Sequence, residues 1–250
     1  MRLISIIAIC LSLFSVNYAI GSNQDIWEQA NTAYDNNSFD KALEGYLQLL
    51  ERGSRSPEIY YNLGNVYFKT NKIGMAIAAY RLRLKLDPSF IVAKENLAYV
   101  RNFTIDKVEK PSEGFIQNIW LNITKAFSAE GYFKTTIMIY WLLSLIITIS
   151  IIRIGKKEFF TYMLILLAVL FILGSVLSYF VINETVKTKW GVIISASAEL
   201  REGPGEDFDK IFTGHEGLEF KILSQRQDYY LVELTNGLKG WINRTTLTEI

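Results

Sequence analysis

Apolar and polar positions follow three different rhythms along this chain, and each rhythm predicts a different kind of element. From residue 22 to about residue 103 the apolar positions recur at helical spacing. Two long stretches then run almost without charged residues, Thr135 to Ile154 with only Arg153 and Phe159 to Ile182 with none. From Trp190 onward the period shortens to that of strands: Val192 to Ser195, Glu219 to Leu223, Tyr229 to Leu234 and Gly240-Trp241-Ile242, separated by turn residues. The fold class expected is therefore multi-domain: α-helical repeats, a two-helix transmembrane hairpin and a small all-β domain.

The helical part repeats itself. Ala30 and Gly64, Phe39 and Ile73, Ala42 and Ala76, and Tyr46 and Tyr80 are each 34 positions apart, and Asn62-Leu63-Gly64 returns as Asn96-Leu97-Ala98. The second copy, Tyr60-x2-Leu63-Gly64-x2-Tyr67, then Ala76-x3-Tyr80 and Asp87-Pro88, resembles the tetratricopeptide repeat (TPR). Small residues at Gly64 and Ala76 let paired helices approach, while Leu63, Tyr67 and Tyr80 fill the space between neighbours. Pro88 is expected to start the next helix, and Ser89 to Phe103 to cap the array over a domain spanning 22–103. The first copy, with Gln29-Ala30 and Ala33 in place of Leu63-Gly64 and Tyr67, is the weaker. Arg83 occupies a position where the family usually has Ala, which puts packing there in question.

The resemblance implies a concave face, lined by the first helix of each repeat, that binds an extended segment or helix of another protein. It nominates Trp27, Asn31 and Tyr34 from the first repeat and Tyr61, Asn65, Phe68 and Lys69 from the second as partner-binding residues. Plainer roles stay open: an asparagine near Gly64 can satisfy backbone, and the aromatics can pack on the linker or a membrane. Trp27 stands where carboxylate-clamp repeats often carry a cation, so a partner's terminal carboxylate is not expected.

At 1.5 Å per residue, either apolar stretch is long enough for a hydrocarbon core of roughly 30 Å. The connection Gly155-Lys156-Lys157-Glu158 is too short for anything but an antiparallel pair, so both flanking regions are expected on one side of the membrane. Its lysines, with Arg153, place it in the cytoplasm. Lys134, Lys187 and Lys189 on the outer flanks soften that asymmetry, but the amino terminus makes the same assignment independently. Residues 1–21 read as a secretory signal, with Arg2 as basic start, Leu3 to Phe14 as apolar run and Ala19 or Gly21 at the cut. An uncleaved anchor helix is the alternative; either form exports the repeats. Neither apolar stretch holds Asp, Glu or His, which argues against a transporter or proton path. Within the linker 104–134, Phe115, Ile119, Ile123 and Phe127 recur every four residues, suggesting an amphipathic helix in the membrane interface or under the repeats.

Residues 190–250 resemble a bacterial SH3-like domain through Ala198-Glu199-Leu200-Arg201-x-Gly203-Pro204, Glu216-Gly217, Tyr229-Tyr230-x-Val232 and Gly237-x2-Gly240-Trp241-Ile242. Leu200 and Trp241 are expected to anchor its core, Gly203-Pro204-Gly205 to shape an exposed loop, and Asn236-Gly237 to form a tight hairpin with both residues at positive φ. Some such domains bind cell-wall peptide and others mediate protein contacts. Arg201 is either a ligand contact or a brace for its loop, and His215 is expected as a solvated turn residue.

Composition then removes alternatives. A formal net charge of +1 over 250 residues offers no footprint for nucleic acid. Cys10 and His215 are the only cysteine and histidine, so no cofactor, metal site or catalytic group is expected. Cys10 follows Ile9 inside the apolar run, against a lipid-modified cysteine; removal of the signal would leave no thiol. In the order of its parts the chain resembles the BatE-like members of the Bacteroides aerotolerance (Bat) group. That resemblance implies a non-enzymatic scaffold in the inner membrane with both soluble domains in the periplasm. It also implies partners among other membrane or periplasmic proteins, including Bat-type von Willebrand factor A proteins, and a link to stress tolerance. The remaining partner expectations are membrane lipid and, through the SH3-like domain, peptidoglycan.

Overall fold

The computed structural model describes residues 23–107, 119, 129–152 and 157–250. The expected signal at 1–21, the Phe115–Phe127 stripe apart from residue 119, and loop residues 155 and 156 lie outside them.

Five helices form the amino-terminal unit: α1 over residues 23–35, α2 (Phe39–Glu51), α3 (Pro57–Lys69), α4 (Ile73–Leu86) and α5 (Ile91–Arg101). The 34-residue period reaches down to the turns. Asn37 and Asn71 end α1 and α3 at φ 57° and 59°, the left-handed region that asparagine tolerates best after glycine. In each turn an amide closes back on the helix, Ser38 N to Ala33 O and Lys72 N to Tyr67 O, both 2.8 Å. α3 opens on Ser56, whose Oγ accepts from Ile59 N at 3.4 Å, with Pro57 in its first turn. Close approach within a repeat depends on missing side chains. A Cβ on Gly64 would come within 2.6 Å of the Tyr80 ring, and one on Gly45 within 2.8 Å of Ala30 Cβ.

Two expectations change in this unit. Pro88 does not start a helix: Asp87-Pro88-Ser89 is a turn in which Asp87 Oδ1 accepts from Ser89 N (3.0 Å) and Oγ (2.6 Å), and α5 begins at Ile91. Arg83 is taken into the packing, but at a cost: its buried Nη1 finds no hydrogen-bond partner among the described residues. It is 6% exposed, its guanidinium lies 4.1 Å from the Phe90 ring centroid, and Nη2 reaches Asp87 Oδ2 at 3.4 Å.

Helices α6 (Ala129–Ile152) and α7 (Lys157–Lys187) contain the stretches Gly131–Ile149 and Thr161–Asn183, each long and apolar enough to cross a membrane. α7 already begins at Lys157, inside the stretch expected as a loop. The two run antiparallel, with Thr136 Oγ1 and Ser178 Oγ 2.9 Å apart and Tyr140 facing Phe171 at 6.2 Å between ring centroids. Small side chains sit at this seam: a Cβ on Gly174 would reach Thr136 Oγ1 at 3.4 Å, an ordinary van der Waals contact.

The carboxyl-terminal unit is one antiparallel sheet in the order β3-β2-β6-β5-β4-β1-β7. Its strands are β1 (Lys189–Ile193), β2 (Ser197–Arg201), β3 (Lys210–His215), β4 (Glu219–Arg226), β5 (Tyr229–Leu234), β6 (Lys239–Asn243) and β7 (Leu247–Glu249). Its inner face closes over a core that includes Ile193, Leu200, Phe220, Val232 and Ile242, all fully buried.

Strand parity overturns the expected role of Trp241. On β6, Gly240 and Ile242 face in, which turns Trp241 outward; it is half-buried and outside that core. The Asn236-Gly237 turn also differs from expectation. The loop runs from Thr235 to Leu238 with positive φ at Gly237 (88°) and not at Asn236, whose Oδ1 instead accepts from Leu238 N at 3.0 Å. The tight two-residue turn is Gln227-Asp228, closed by the Arg226–Tyr229 pair with Gln227 at φ 53°.

Sheet and helices are in contact. Val192 of β1 is fully buried as a member of the helical core, and Ile250 packs against the same core.

Candidate partner-binding groove

The helical face opposite α2 and α4 is built from α1, α3 and α5, and its polar floor repeats with the same 34-residue period. Tyr46 Oη donates to Asn31 Oδ1 (2.7 Å), while Asn62 Nδ2 donates to Asn31 Oδ1 and Tyr46 Oη, both at 3.1 Å. One repeat later Tyr80 Oη donates to Asn65 Oδ1 (2.6 Å), and Asn96 Nδ2 reaches Asn65 Oδ1 (3.2 Å) and Tyr80 Oη (3.5 Å). Each trio pins three helices together. Burial pushes the Tyr46 hydroxyl up to about 12, and Tyr80 is raised further by its deeper burial, so both phenols remain hydrogen-bond donors at neutral pH.

Aromatic side chains stand above this floor. Trp27 leans on Tyr46, with ring centroids 5.7 Å apart, and Tyr34 meets Phe39 edge-on at 5.6 Å. Tyr61 packs between Tyr80 (6.1 Å) and Phe90 (5.5 Å). Phe68 meets Tyr99 of α5 at 5.7 Å and Phe103, just beyond that helix, at 5.2 Å, both edge-on, and those two residues are more than half exposed.

Of the seven groove residues nominated from sequence, four converge. Tyr34, Asn65, Phe68 and Lys69 line one cavity of about 170 Å³ together with Tyr80, Asn96, Tyr99 and Val100. Trp27, Asn31 and Tyr61 lie outside its wall: Asn31 is engaged in the first polar trio, and Tyr61 and Trp27 are half-buried against the core. Asn62, Asn96 and Tyr99 are not among the residues nominated from sequence. The 34-residue return of Asn62 at Asn96 is a usable signal, but a helix expected to cap the array is not expected to wall a groove.

Arg201 takes the second of its two expected roles. Nη1 donates to the carbonyls of Glu206 (2.8 Å) and Phe208 (2.7 Å), and Nη2 pairs with Glu199, so the guanidinium braces the loop after β2. The Phe208 ring lies over Gly203, where a Cβ would clash with it. His215 is corrected from a solvated turn residue: its amide donates to Asp106 Oδ2 at 2.6 Å and its Nδ1 lies 3.1 Å from Asp106 Oδ1. Among the described residues no group of three or more His, Cys, Asp or Glu side chains is placed to hold a metal.

Paired helices, repeated turns and repeated polar trios with a 34-residue period are the features of tetratricopeptide repeats, modules that generally serve protein interaction. Two family models agree: one described as TPR repeat matches residues 30–71, and one described as tetratricopeptide repeat matches residues 57–90. No curated protein matches the chain.

Proposed function

We propose that this protein is a non-enzymatic, membrane-anchored adaptor that binds a partner protein in the groove of α1, α3 and α5 and holds it beside the membrane. The carrying observation is the cavity in which Tyr34, Asn65, Phe68 and Lys69 meet Asn96 and Tyr99 of α5. Aromatic walls, amide donors and a single cation at the lip suit a protein segment.

Anchoring is supported by α6 and α7, whose apolar stretches are only 6% and 11% buried, unlike core helices of a soluble protein. A hairpin inserted between two units in contact with each other keeps both on one side of the bilayer. The basic residues Arg153, Lys156 and Lys157 favour a cytoplasmic turn, and with the export signal this puts the soluble parts in the periplasm. The resemblance to the Bat group points to membrane partners with von Willebrand factor A domains. Peptidoglycan binding through the SH3-like sheet is the lesser reading, because Arg201 is engaged with its own loop.

The test is quantitative recovery of membrane partners from detergent extracts by the full chain and by the double variant Lys69→Ala, Tyr99→Ala. Both side chains are exposed, so the repeat fold should persist, which circular dichroism checks. Loss of about 2 kcal/mol or more of binding is expected if they include a hot spot. Undiminished recovery of every partner would move the function to the sheet or the hairpin.

A further inference from the structure

Separate folded domains in one chain move relative to each other by default unless their interface is extensive and well packed. Four features of the contact between the helices and the sheet are those of a core rather than of two abutting surfaces. Val192, a β1 residue, is fully buried within the helical cluster beside α4 residues, with Ile250 packed against it. Two glycines interlock across the contact. A Cβ on Gly74 of α4 would clash with the carbonyl of Ile193, and one on Gly217, between β3 and β4, would meet Thr104 Cγ2 at 2.5 Å and Ile77 Cδ1 at 3.1 Å.

The third feature is a helix end completed by the sheet. The residue preceding α4 is Lys72, which makes no side-chain cap, and the first turn of α4 carries no acidic residue. Glu216 fills that role from the β3–β4 turn, its Oε1 accepting from Gly74 N at 2.8 Å, where an anion is also favoured by the helix dipole. The fourth is a charge cluster. Glu219 of β4 pairs with Arg81 of α4 and with Arg101 of α5 (Nε–Oε1 2.6 Å), its side chain only 12% exposed. The Arg81 guanidinium also lies 4.2 Å from the Trp190 ring centroid. A carboxylate this buried is tolerable only while both cations are in place.

Chain order adds to this. Asp106, which holds His215, is one of the last described residues before the hairpin, and Trp190, under Arg81, is among the first of the sheet. Both ends of the inserted segment thus lie on the contact itself.

We infer that residues 23–107 and 189–250 fold as one cooperative unit, with the sheet as the permanent intramolecular partner of α4 and α5 and the membrane hairpin as an insertion into that unit. The back of α4 is consequently closed to other proteins. α5 is shared: Asn96, Tyr99 and Val100 line the groove, and the next residue, Arg101, is clamped by the sheet.

The experiment is hydrogen–deuterium exchange on the full chain in detergent micelles with no partner present, so its outcome does not depend on the groove reading. Glu219→Gln removes the charge at the contact, and Ile242→Ala weakens the sheet from within its own core. Both variants are expected to speed exchange in α4 and α5 together with β1 and β4, by about tenfold or more for the slowest amides. Wild-type protection of α4 and α5 in either variant, while the sheet loosens or fails to fold, would overturn the inference.

Discussion

Arg101 meets Glu219 across 118 positions of chain with two hydrogen bonds, Nε to Oε1 at 2.6 Å and Nη2 to Oε2 at 2.9 Å. Burial pushes the Glu219 carboxyl up, but the bond from Arg101 and the charges of Arg81 and Arg101 outweigh it, leaving the carboxyl below its ordinary range. Burial lowers Arg81 in turn, against the pull of Glu219, yet a guanidinium remains a cation.

This depressed carboxyl gives stability a pH dependence of definite sign. Because the folded-state value is the lower one, stabilisation by Glu219 is fully present above the ordinary glutamate value of about 4.3 and is lost as pH falls below it through the folded value. Melting of the full chain in detergent should show this acid limb, and Glu219→Gln should lack it. At neutral pH the variant should be less stable by about 3 kcal/mol, the lower end for a broken buried pair because Arg101 is a third exposed. Equal acid sensitivity in both proteins would remove Glu219 from the account.

The sheet makes a second prediction by reversing the roles of two adjacent residues. Ile242 is fully buried while Trp241 faces outward on the same strand. Ile242→Ala should cost about 2 to 5 kcal/mol, as in other aliphatic cores, and Trp241→Ala distinctly less despite removing the larger side chain. Denaturant melting of the two variants compares them directly. A larger loss at Trp241 would mean that its ring packs on an essential neighbour.

The same pair shows where sequence reasoning stops. Adjacent strand residues point to opposite faces, so only one of Trp241 and Ile242 can enter the core, and bulk alone selects the wrong one. The helical repeats were legible because their period is local: Gly64 and Tyr80 lie within one repeat, and their counterparts recur 34 positions away. The polar trios were half legible, since Tyr46 and Tyr80 share the period but their partners Asn31 and Asn65 look like ligand contacts. The contact between helices and sheet left no such trace. Arg81, Arg101, Glu216 and Glu219 are charged residues of the kind that usually face water, and nothing local links position 81 to position 219.

Sidedness can be read with thiols. After Cys10→Ser, the chain has no cysteine, so single substitutions report alone. Asn36→Cys in the repeats and Asp207→Cys in the β2–β3 loop replace exposed residues and should both react with a membrane-impermeant reagent in cells whose outer layer admits it. Lys157→Cys should be protected until the membrane is opened. Labelling of only one soluble part would contradict both the hairpin and the single folded unit.

The two polar trios allow stability and groove function to be separated. Tyr46 and Tyr80 are each at most 2% exposed, and each donates its hydroxyl to an asparagine of the preceding helix. Phenylalanine at either site keeps the ring, including the packing of the Tyr80 ring over Gly64, while removing the hydroxyl donor to Asn31 or Asn65. Either substitution should therefore cost about 1 to 3 kcal/mol for the acceptor left short, measured by melting of the full chain. Only the second trio borders the cavity: Asn65, Tyr80 and Asn96 line it, and Asn31, Tyr46 and Asn62 do not. Tyr80→Phe should thus weaken partner recovery because Asn65 and Asn96 lose the hydroxyl that orients both amides toward each other. Tyr46→Phe should leave recovery near wild type at a similar loss of stability. Equal recovery by the two variants would mean that the partner does not contact the second trio, and the proposed binding face would have to lie nearer Trp27.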